Sequence, residues 1–361
     1  MIRKQKRLII EMVLLKILKS EFGSFEFETP RDRNGEFEPK IVPKNTRDVS
    51  GIEDKIISLY ATKKWYNISK LMVINMLKKI EYTKSNLLNK KIENIFICPI
   101  CHNNIKIYKN SLICEKNHCY DISKKGYFTL LKKNRLRIDN IYDINLFKNR
   151  MEFIKKGFYY ELHKLISKII IEKDDSSQVI VDMGCGDGTH DNMILNLINN
   201  NQSFVIGVDI SKVGVECATD YVKNNFIPLI ADLNYMPLKD KSVDIILNIL
   251  SPSNEKEMNR ILKQDGIIIK VTPKKEYLYE LRELLHIKEY ENEQQIEKNI
   301  EKNYIILKKY TINEKKELNE ESMLNLINMT PLSKNYNCDK TINEITIALN
   351  IYVLKVRDKS E

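Results

Sequence analysis

Between Gln178 and Val271 the chain alternates short β-branched runs with helical stretches, and this constrains its fold more than any other feature. Gln178-Val-Ile-Val-Asp182, Phe204-Val-Ile-Gly-Val-Asp209, Ile227-Pro-Leu-Ile-Ala-Asp232, Val243-Asp-Ile-Ile-Leu-Asn248 and Gly266-Ile-Ile-Ile-Lys-Val271 read as buried strands. Thr189–Asn199 and Lys212–Asn224 carry helical patterns between them. Apolar strands joined in this way specify a largely parallel sheet with helices on both faces. Ile345–Val353 has a strand's composition and is suited to closing the sheet. The Lys- and Glu-dense segment Lys288–Glu321 reads instead as a solvated helix or excursion.

The 361 residues suffice for two domains with one full hydrophobic core. A formal net charge of +10 favours an anionic partner, most often nucleic acid, although a general lean towards Lys explains it equally well. Seven cysteines, an odd number with one tight cluster, argue against an extracellular disulfide framework. The basic start is interrupted by Glu11, Lys16 and Lys19, and no long uncharged apolar run follows. A cytoplasmic protein without membrane contact is expected.

The cysteine cluster has metal-ligand spacing. Cys98 and Cys101 flank a two-residue turn, and Cys114 and His118 follow after a strand-length spacer. Zinc prefers a closed tetrahedral shell of thiolate and imidazole, which this set supplies; His102 and Cys119 stand close enough to substitute. A segment this short cannot bury enough apolar area to fold alone, so a metal here would be structural. Four protein ligands leave no open position for catalysis.

Asp182-Met-Gly-Cys-Gly-Asp-Gly188 follows a strand and opens a helix. Its G-x-G-x-G spacing, with an acid two residues earlier, fits S-adenosylmethionine better than a dinucleotide: the glycines admit the cofactor, and no pyrophosphate has to be cradled. Asp209 closes the next strand, beside Ile210, and is placed for the ribose hydroxyls. Asp232 closes the third and is placed for the adenine amino group, with Leu233 beside the ring. The candidate cofactor residues are therefore Asp182, Gly184, Cys185, Gly186, Asp187, Gly188, Asp209, Ile210, Asp232, Leu233 and Asn248.

Taken together, Cys98-Pro-Ile-Cys101, Leu112-Ile-Cys-Glu-Lys-Asn-His118, Tyr120-Asp-Ile-Ser-Lys-Lys-Gly-Tyr127, the glycine loop, Gly207-Val-Asp-Ile-Ser-Lys212, Leu262-Lys-Gln-Asp-Gly266 and Met329-Thr-Pro331 resemble the large-subunit rRNA guanine-N1 methyltransferase family. The resemblance covers residues 96 to about 355. It implies a small zinc ribbon (96–130) ahead of a class I, Rossmann-like methyltransferase domain (140–356) with a mostly parallel seven-stranded sheet. It further implies zinc on Cys98, Cys101, Cys114 and His118, and methyl transfer to N1 of a guanine in a domain II hairpin of 23S rRNA. Departures occur at Gln264-Asp265 and at Ser251-Pro252, where the family has Pro-Gly and Ala-Pro. The expected partners are large-subunit rRNA and a second copy of the chain.

Residues 1–61 resemble something else. Glu26-Phe-Glu-Thr-Pro-Arg-Asp-Arg-Asn-Gly-Glu-Phe-Glu-Pro-Lys-Ile-Val42, continuing from Asp48 to Ala61, is similar to mutator-type transposases and reads as a fused fragment, with 62–95 a junction. Two alternatives compete with the RNA enzyme: a methyltransferase acting on a small molecule or protein, and a DNA-binding protein working through this head.

Guanine N1 carries a proton at neutral pH, so its methylation needs alignment with the methyl group and a route for the proton. Asn248 and Ser251, at the carboxyl end of the fourth strand, are the first catalytic candidates, and His190 is the third. The Asn/Asp-Pro-Pro-Tyr motif of exocyclic-amine methyltransferases is absent, in keeping with a ring-nitrogen target. Lys124, Lys125, Lys132, Lys133, Arg135 and Arg137 are candidates for phosphate contacts, and the Gly-Tyr-Phe run at 126–128 reads as ribbon core.

Overall fold

A computed structural model describes residues 13–20, 23–30, 92–108, 111–132, 143–173, 177–198, 203–287, 292–330 and 341–357. The chain divides into two units, Met1–Ile74 and Asn75–Glu361. In the first, β1 (Val13–Ser20) and β2 (Gly23–Pro30) form an antiparallel hairpin with Ser20 opposite Gly23. The sequence of Leu8–Leu18 reads as a short amphipathic segment, and its described end lies in β1; Val49–Leu59 and Ile68–Ile80, which read as helical in sequence, lie outside the described residues.

The second unit begins, in its described part, with a helical turn at Ile92–Ile95. An antiparallel ribbon follows: β3 (Ile105–Tyr108), β4 (Ser111–Cys114) and β5 (Cys119–Asp121). Next come β6 (Phe128–Thr129) and two helices, α1 (Ile144–Lys155) and α2 (Tyr160–Lys173). The alternating region then runs β7 (Val179–Met183), α3 (Thr189–Ile198), β8 (Phe204–Asp209), α4 (Lys212–Ala218) with a 3-10 turn, and β9 (Phe226–Ile230). It continues through β10 (Val243–Ile249), α5 (Glu255–Ile261), β11 (Leu262–Pro273) and α6 (Tyr279–Leu284). The last elements are α7 (Glu293–Asn303), β12 (Tyr304–Glu317), α8 (Glu320–Asn328) and β13 (Glu344–Val356).

The main sheet has the order β12-β13-β11-β10-β7-β8-β9-β6. From β11 to β6 every pairing is parallel, while β13 runs antiparallel to both its neighbours. Seven strands are the expected class I set, and β6, donated by the ribbon's tail, adds an eighth at the edge. Strand order reverses between β7 and β10, which opens a crevice at their carboxyl ends.

Two readings of the sequence change here. Within Lys288–Glu321 the helix covers Glu293–Asn303, and Tyr304–Glu317 is the edge strand β12. Its Ile and Tyr residues pair along β13, and its many lysines suit an edge that must resist pairing with other chains. Ile92 and Ile95, assigned to a junction, pack in the ribbon's core.

Side-chain caps set the helix starts. Asp143 accepts from Leu146 N (2.8 Å), Ser211 from Gly214 N (3.2 Å) and Asn254 from Glu257 N (3.1 Å). Arg260 holds the β9–β10 connection by donating to Met236 O (2.8 Å), Leu238 O (2.7 Å) and Asp240 Oδ1 (2.7 Å). Among the described residues no helix is long and apolar enough to cross a membrane.

Candidate active site and metal centre

The ribbon brings Cys98, Cys101, Cys114 and His118 together, their ligand atoms all within 4.8 Å of one another. Cys101 Sγ is 3.6 Å from Cys114 Sγ, and His118 Nδ1 is 3.4 Å from both Cys98 Sγ and Cys114 Sγ. Bond lengths of about 2.3 Å to sulfur and about 2.0 Å to nitrogen give a tetrahedron with edges of about 3.5–3.8 Å, so the donor set fits zinc. Positive φ at His102 and Asn117 turns the chain after each ligand pair or inside it. Burial alone would raise the Cys98 thiol, but hydrogen bonds from Tyr120 (3.0 Å) and from the backbone of Cys101 and Ile100 bring it down to about 6, towards the thiolate a metal needs. Cys119 is exposed at the head of β5, with Asp121 as its partner, and stands outside the cluster.

The ribbon is joined to the sheet through one core. Cys98, Cys114, Phe96 and Phe128 share an apolar cluster with Val181, Ile206, Ile227 and Leu229. Backbone bonds Ile97 N to Pro237 O (3.0 Å), Lys239 N to Ile95 O (2.8 Å) and Leu130 N to Ile230 O (2.9 Å) tie the two together. Tyr127 and Phe128 are core residues, as read from the sequence, with Tyr127 Oη donating to Glu216 (3.3 Å). Of the basic run, Lys125 pairs with Glu216 (2.6 Å) and Lys132 lies over the Tyr235 ring (5.3 Å). Lys133, Arg135 and Arg137 lie outside the described residues. The described part of the run, ending at Lys132, lies at the carboxyl end of β9.

The glycine loop spans from the end of β7 to the start of α3. Gly184, Gly186 and Gly188 have φ of +96°, +56° and +71°. At Gly184 a side chain is excluded twice, since a Cβ would also lie 2.6 Å from Ser251 Cβ. Gly184 N and Cys185 N donate to Val208 O (2.8 and 3.1 Å), which fastens the loop to β8. Asp209, closing β8, accepts from Gly186 N (2.9 Å) and Ser211 N (2.7 Å), and Ile210 beside it is exposed. Asp232 Oδ1 accepts from Asn234 N and Nδ2 (both 2.9 Å), so it also shapes its own turn; Leu233 is half-buried.

Acids gather behind this loop. Asp182, Asp187 and Asp191 are buried, and no N–H or hydroxyl donor reaches Asp182 Oδ1, Asp187 Oδ2 or either oxygen of Asp191. The Asp182 and Asp191 carboxyls face each other, so the bond between them requires a shared proton. Unsatisfied buried acids beside a glycine turn fit the cationic methionine end of S-adenosylmethionine, and the turn leaves room for its approach. Burial, with the nearby Asp209 charge, pushes Asp182 up to about 7 against the opposing bond to Asp191. Burial and the Asp182 charge likewise raise Asp191 well above the ordinary carboxyl value.

This has a measurable consequence. The folded protein keeps a proton that an ordinary carboxyl, with a value of 3.8, has lost. From about pH 4 to about pH 7 the unfolded chain binds fewer protons, so stability of the ligand-free protein falls as pH rises through that window. Asp182→Asn should shrink the difference between urea midpoints measured at about pH 5 and about pH 8. An unchanged difference in the variant would mean that the proton is held elsewhere.

At the carboxyl end of β10, Asn248 is fully buried, and its Nδ2 donates to Met183 O (3.2 Å), Ser251 Oγ (2.6 Å) and Pro252 O (3.0 Å). Ser251 Oγ donates to Met183 O (2.6 Å). Leu250 between them has φ +50°, a left-handed conformation that side chains seldom adopt away from strained functional turns. The structure thus brings Asn248 and Ser251 against the cofactor loop. His190 stands apart, its Nδ1 paired with His163 Nε2 (2.8 Å) and its ring edge-on to Tyr159. Burial first, then His163 and Arg150, keep it neutral, and its contacts are those of a packed helix-start residue.

Sequence reasoning did not single out Asp191, Arg150 or Lys270. Arg150 of α1 reaches the loop, where a Cβ on Gly186 would lie 3.4 Å from Nη1; burial raises the Asp187 and Asp209 carboxyls, and the Arg150 charge opposes that rise. In sequence it is one cation on an amphipathic helix and carries no local signal. Lys270 does carry one, as the one charge within the apolar run Ile267–Val271 of β11.

Comparison with known proteins agrees with this layout. A model of the RlmA N-terminal zinc ribbon matches residues 96–135, a methyltransferase-domain model matches 174–329, and a Mutator-family transposase model matches 14–87, beyond Ala61. YxjB of Bacillus subtilis strain 168, a candidate 23S rRNA (guanine-N(1)-)-methyltransferase, is 35% identical over 199 residues, 54% of this chain and 69% of that protein. The 23S rRNA (guanine(748)-N(1))-methyltransferase of Streptomyces fradiae is 26% identical over 202 residues, 55% of this chain and 70% of that protein.

Proposed function

This chain belongs to the 23S rRNA guanine-N1 methyltransferase family, and from that premise we propose that it transfers a methyl group from S-adenosylmethionine to N1 of a guanine in a domain II hairpin of large-subunit rRNA. The observation that carries the reading is the shared core of ribbon and sheet, which joins the metal-binding ribbon, with its lysines, to the domain that holds the cofactor loop. Lys124, Lys125 and Lys132, with the cations that follow, supply phosphate contacts there, and counterion release makes such binding fall with salt.

When bound, S-adenosylmethionine supplies a methyl group made electrophilic by a sulfonium sulfur. The chain's residues divide the remaining tasks. Gly184, Cys185, Gly186 and Gly188 let the backbone come close, and Asp187 holds the turn by accepting from Thr189 N (3.0 Å). Asp209 and Ile210 take the ribose side, and Asp232 and Leu233 the adenine. Asp182, with Asp191, answers the ammonium group, giving up its shared proton as it does so. Cys98, Cys101, Cys114 and His118 hold the structural zinc. Asn248 and Ser251 border the place where the target base must meet the methyl group; the base has to leave its stack to reach it. The setting is the cytoplasm, where rRNA and cofactor meet.

Incubation with tritiated S-adenosylmethionine and either an unmodified 23S rRNA transcript or free guanine nucleotides tests this reading. Label should enter the transcript, less so as salt rises. Label in free nucleotides or in protein, with none in RNA, would favour the small-molecule or protein reading instead.

A further inference from the structure

β11 is a central strand of the sheet, with Ile267, Ile268, Ile269 and Val271 all buried, yet Lys270 stands among them. Its ammonium reaches the carboxyl end of β10, where it donates to Asn248 Oδ1 (2.6 Å) and Ser253 Oγ (2.5 Å). Asn248 and Lys270 are register partners, so the parallel pairing itself aims the amine at the crevice. The opposite side of the Asn248 amide binds Met183 O, the residue before Gly184. One buried amide thus links Lys270 to the cofactor loop. An ammonium in a strand interior is costly unless something uses it, and a lysine offers three donors where the described protein supplies two acceptors.

Resting on the guanine-N1 reading above, we propose that Lys270 is a catalytic residue that donates a hydrogen bond to O6 of the target guanine and stabilises the charge this oxygen gains as N1 loses its proton. The N1–methyl bond forms as the methyl–sulfur bond breaks, and the electron pair of that bond stays on sulfur. The N1 proton leaves to water, and the pair it leaves behind spreads over N1, C6 and O6. A preplaced cation at O6 lowers the barrier because it meets charge that is larger in the transition state than in the bound base. Burial lowers the Lys270 amine to about 8, with Glu255 opposing the fall, so it is charged at neutral pH and loses its charge just above. The groups facing it are Glu255 at the head of α5, Tyr352 paired with it on β13 and, over the Tyr352 ring, Lys309 of β12.

The test uses the full chain as wild type, Lys270→Met and Lys270→Arg, with 23S rRNA transcript as substrate. Lys270→Met should lower kcat about 100-fold and leave calorimetric affinity for S-adenosylmethionine unchanged. Lys270→Arg should retain activity near neutral pH and gain on wild type above about pH 8, because arginine keeps its charge there. A wild-type kcat in Lys270→Met, or an Arg-to-wild-type ratio flat across about pH 8, would overturn the proposal; the ratio decides alone if the Met variant does not fold. A wild type that makes no N1-methylguanine would remove the guanine reading and this inference together. N1-methylguanine made equally well by Lys270→Met would remove the inference alone.

Discussion

Gly184→Ala should leave a zinc-loaded protein that binds S-adenosylmethionine about 100-fold more weakly. Two costs meet at this position. The backbone sits at φ +96°, where a side chain adds about 1–3 kcal/mol of strain. The new Cβ would also lie 2.6 Å from Ser251 Cβ and 2.9 Å from Ser251 Oγ, so the loop after β10 has to move. That loop carries the Asn248–Ser251–Met183 hydrogen bonds, so its displacement opens the floor of the crevice. A loss of about 3 kcal/mol at the cofactor loop is about 100-fold in affinity. Gly157→Ala is the matched control: its φ is +87°, but nothing lies within 4 Å of the added carbon. It should lower the urea midpoint and leave cofactor affinity intact. Calorimetric affinities of the three proteins decide the matter, and a near-wild-type value for Gly184→Ala would show that the close approach to Ser251 is not part of the cofactor site.

Cys114→Ser should remove zinc and, with it, methylation of RNA. Structural zinc contributes on the order of 10–16 kcal/mol to small metal-dependent folds, far more than three short strands can replace. Cys114 is buried in the cluster that runs through Phe128 into β9, so loosening the ribbon frees β6 from the sheet edge and the basic segment from its anchor. The glycine loop is pinned to β8 and lies outside the ribbon, so affinity for S-adenosylmethionine should stay within about tenfold of wild type. Cys119→Ser should do nothing, because that thiol is exposed and stands outside the cluster. Zinc content and RNA methylation, measured on both variants, check the assignment. Zinc retained by Cys114→Ser and lost from Cys119→Ser would reverse it.

The readable parts of this protein are those whose partners are close in sequence. Cys98 to His118 declares its geometry through spacing alone, and the choice of His118 over Cys119 follows once β5 begins at Cys119 and points it outward. The positions of Asp209 and Asp232 were legible because strand ends in a parallel sheet fall on one side. Asp191 was not, since on α3 it looks like an ordinary first-turn acid, and only packing sets it against Asp182. Lys270 meets Asn248 across 22 residues of sequence, through the β10–β11 register, which no local pattern encodes. β12 was hidden by its lysines: an edge strand needs charge to stay unpaired, and that charge imitates a solvated helix. Lys132 was legible as charge but not as position, because the pairing of β6 with β9 that sets it beside Tyr235 has no local signal.

The account stands on the identity of the methylated atom. An unmodified 23S rRNA transcript, treated with the protein and deuterated-methyl S-adenosylmethionine, then digested to nucleosides and analysed by mass spectrometry, should yield N1-methylguanosine as the labelled product. Label in N2-methylguanosine, in another nucleoside, or in no RNA product at all would contradict it.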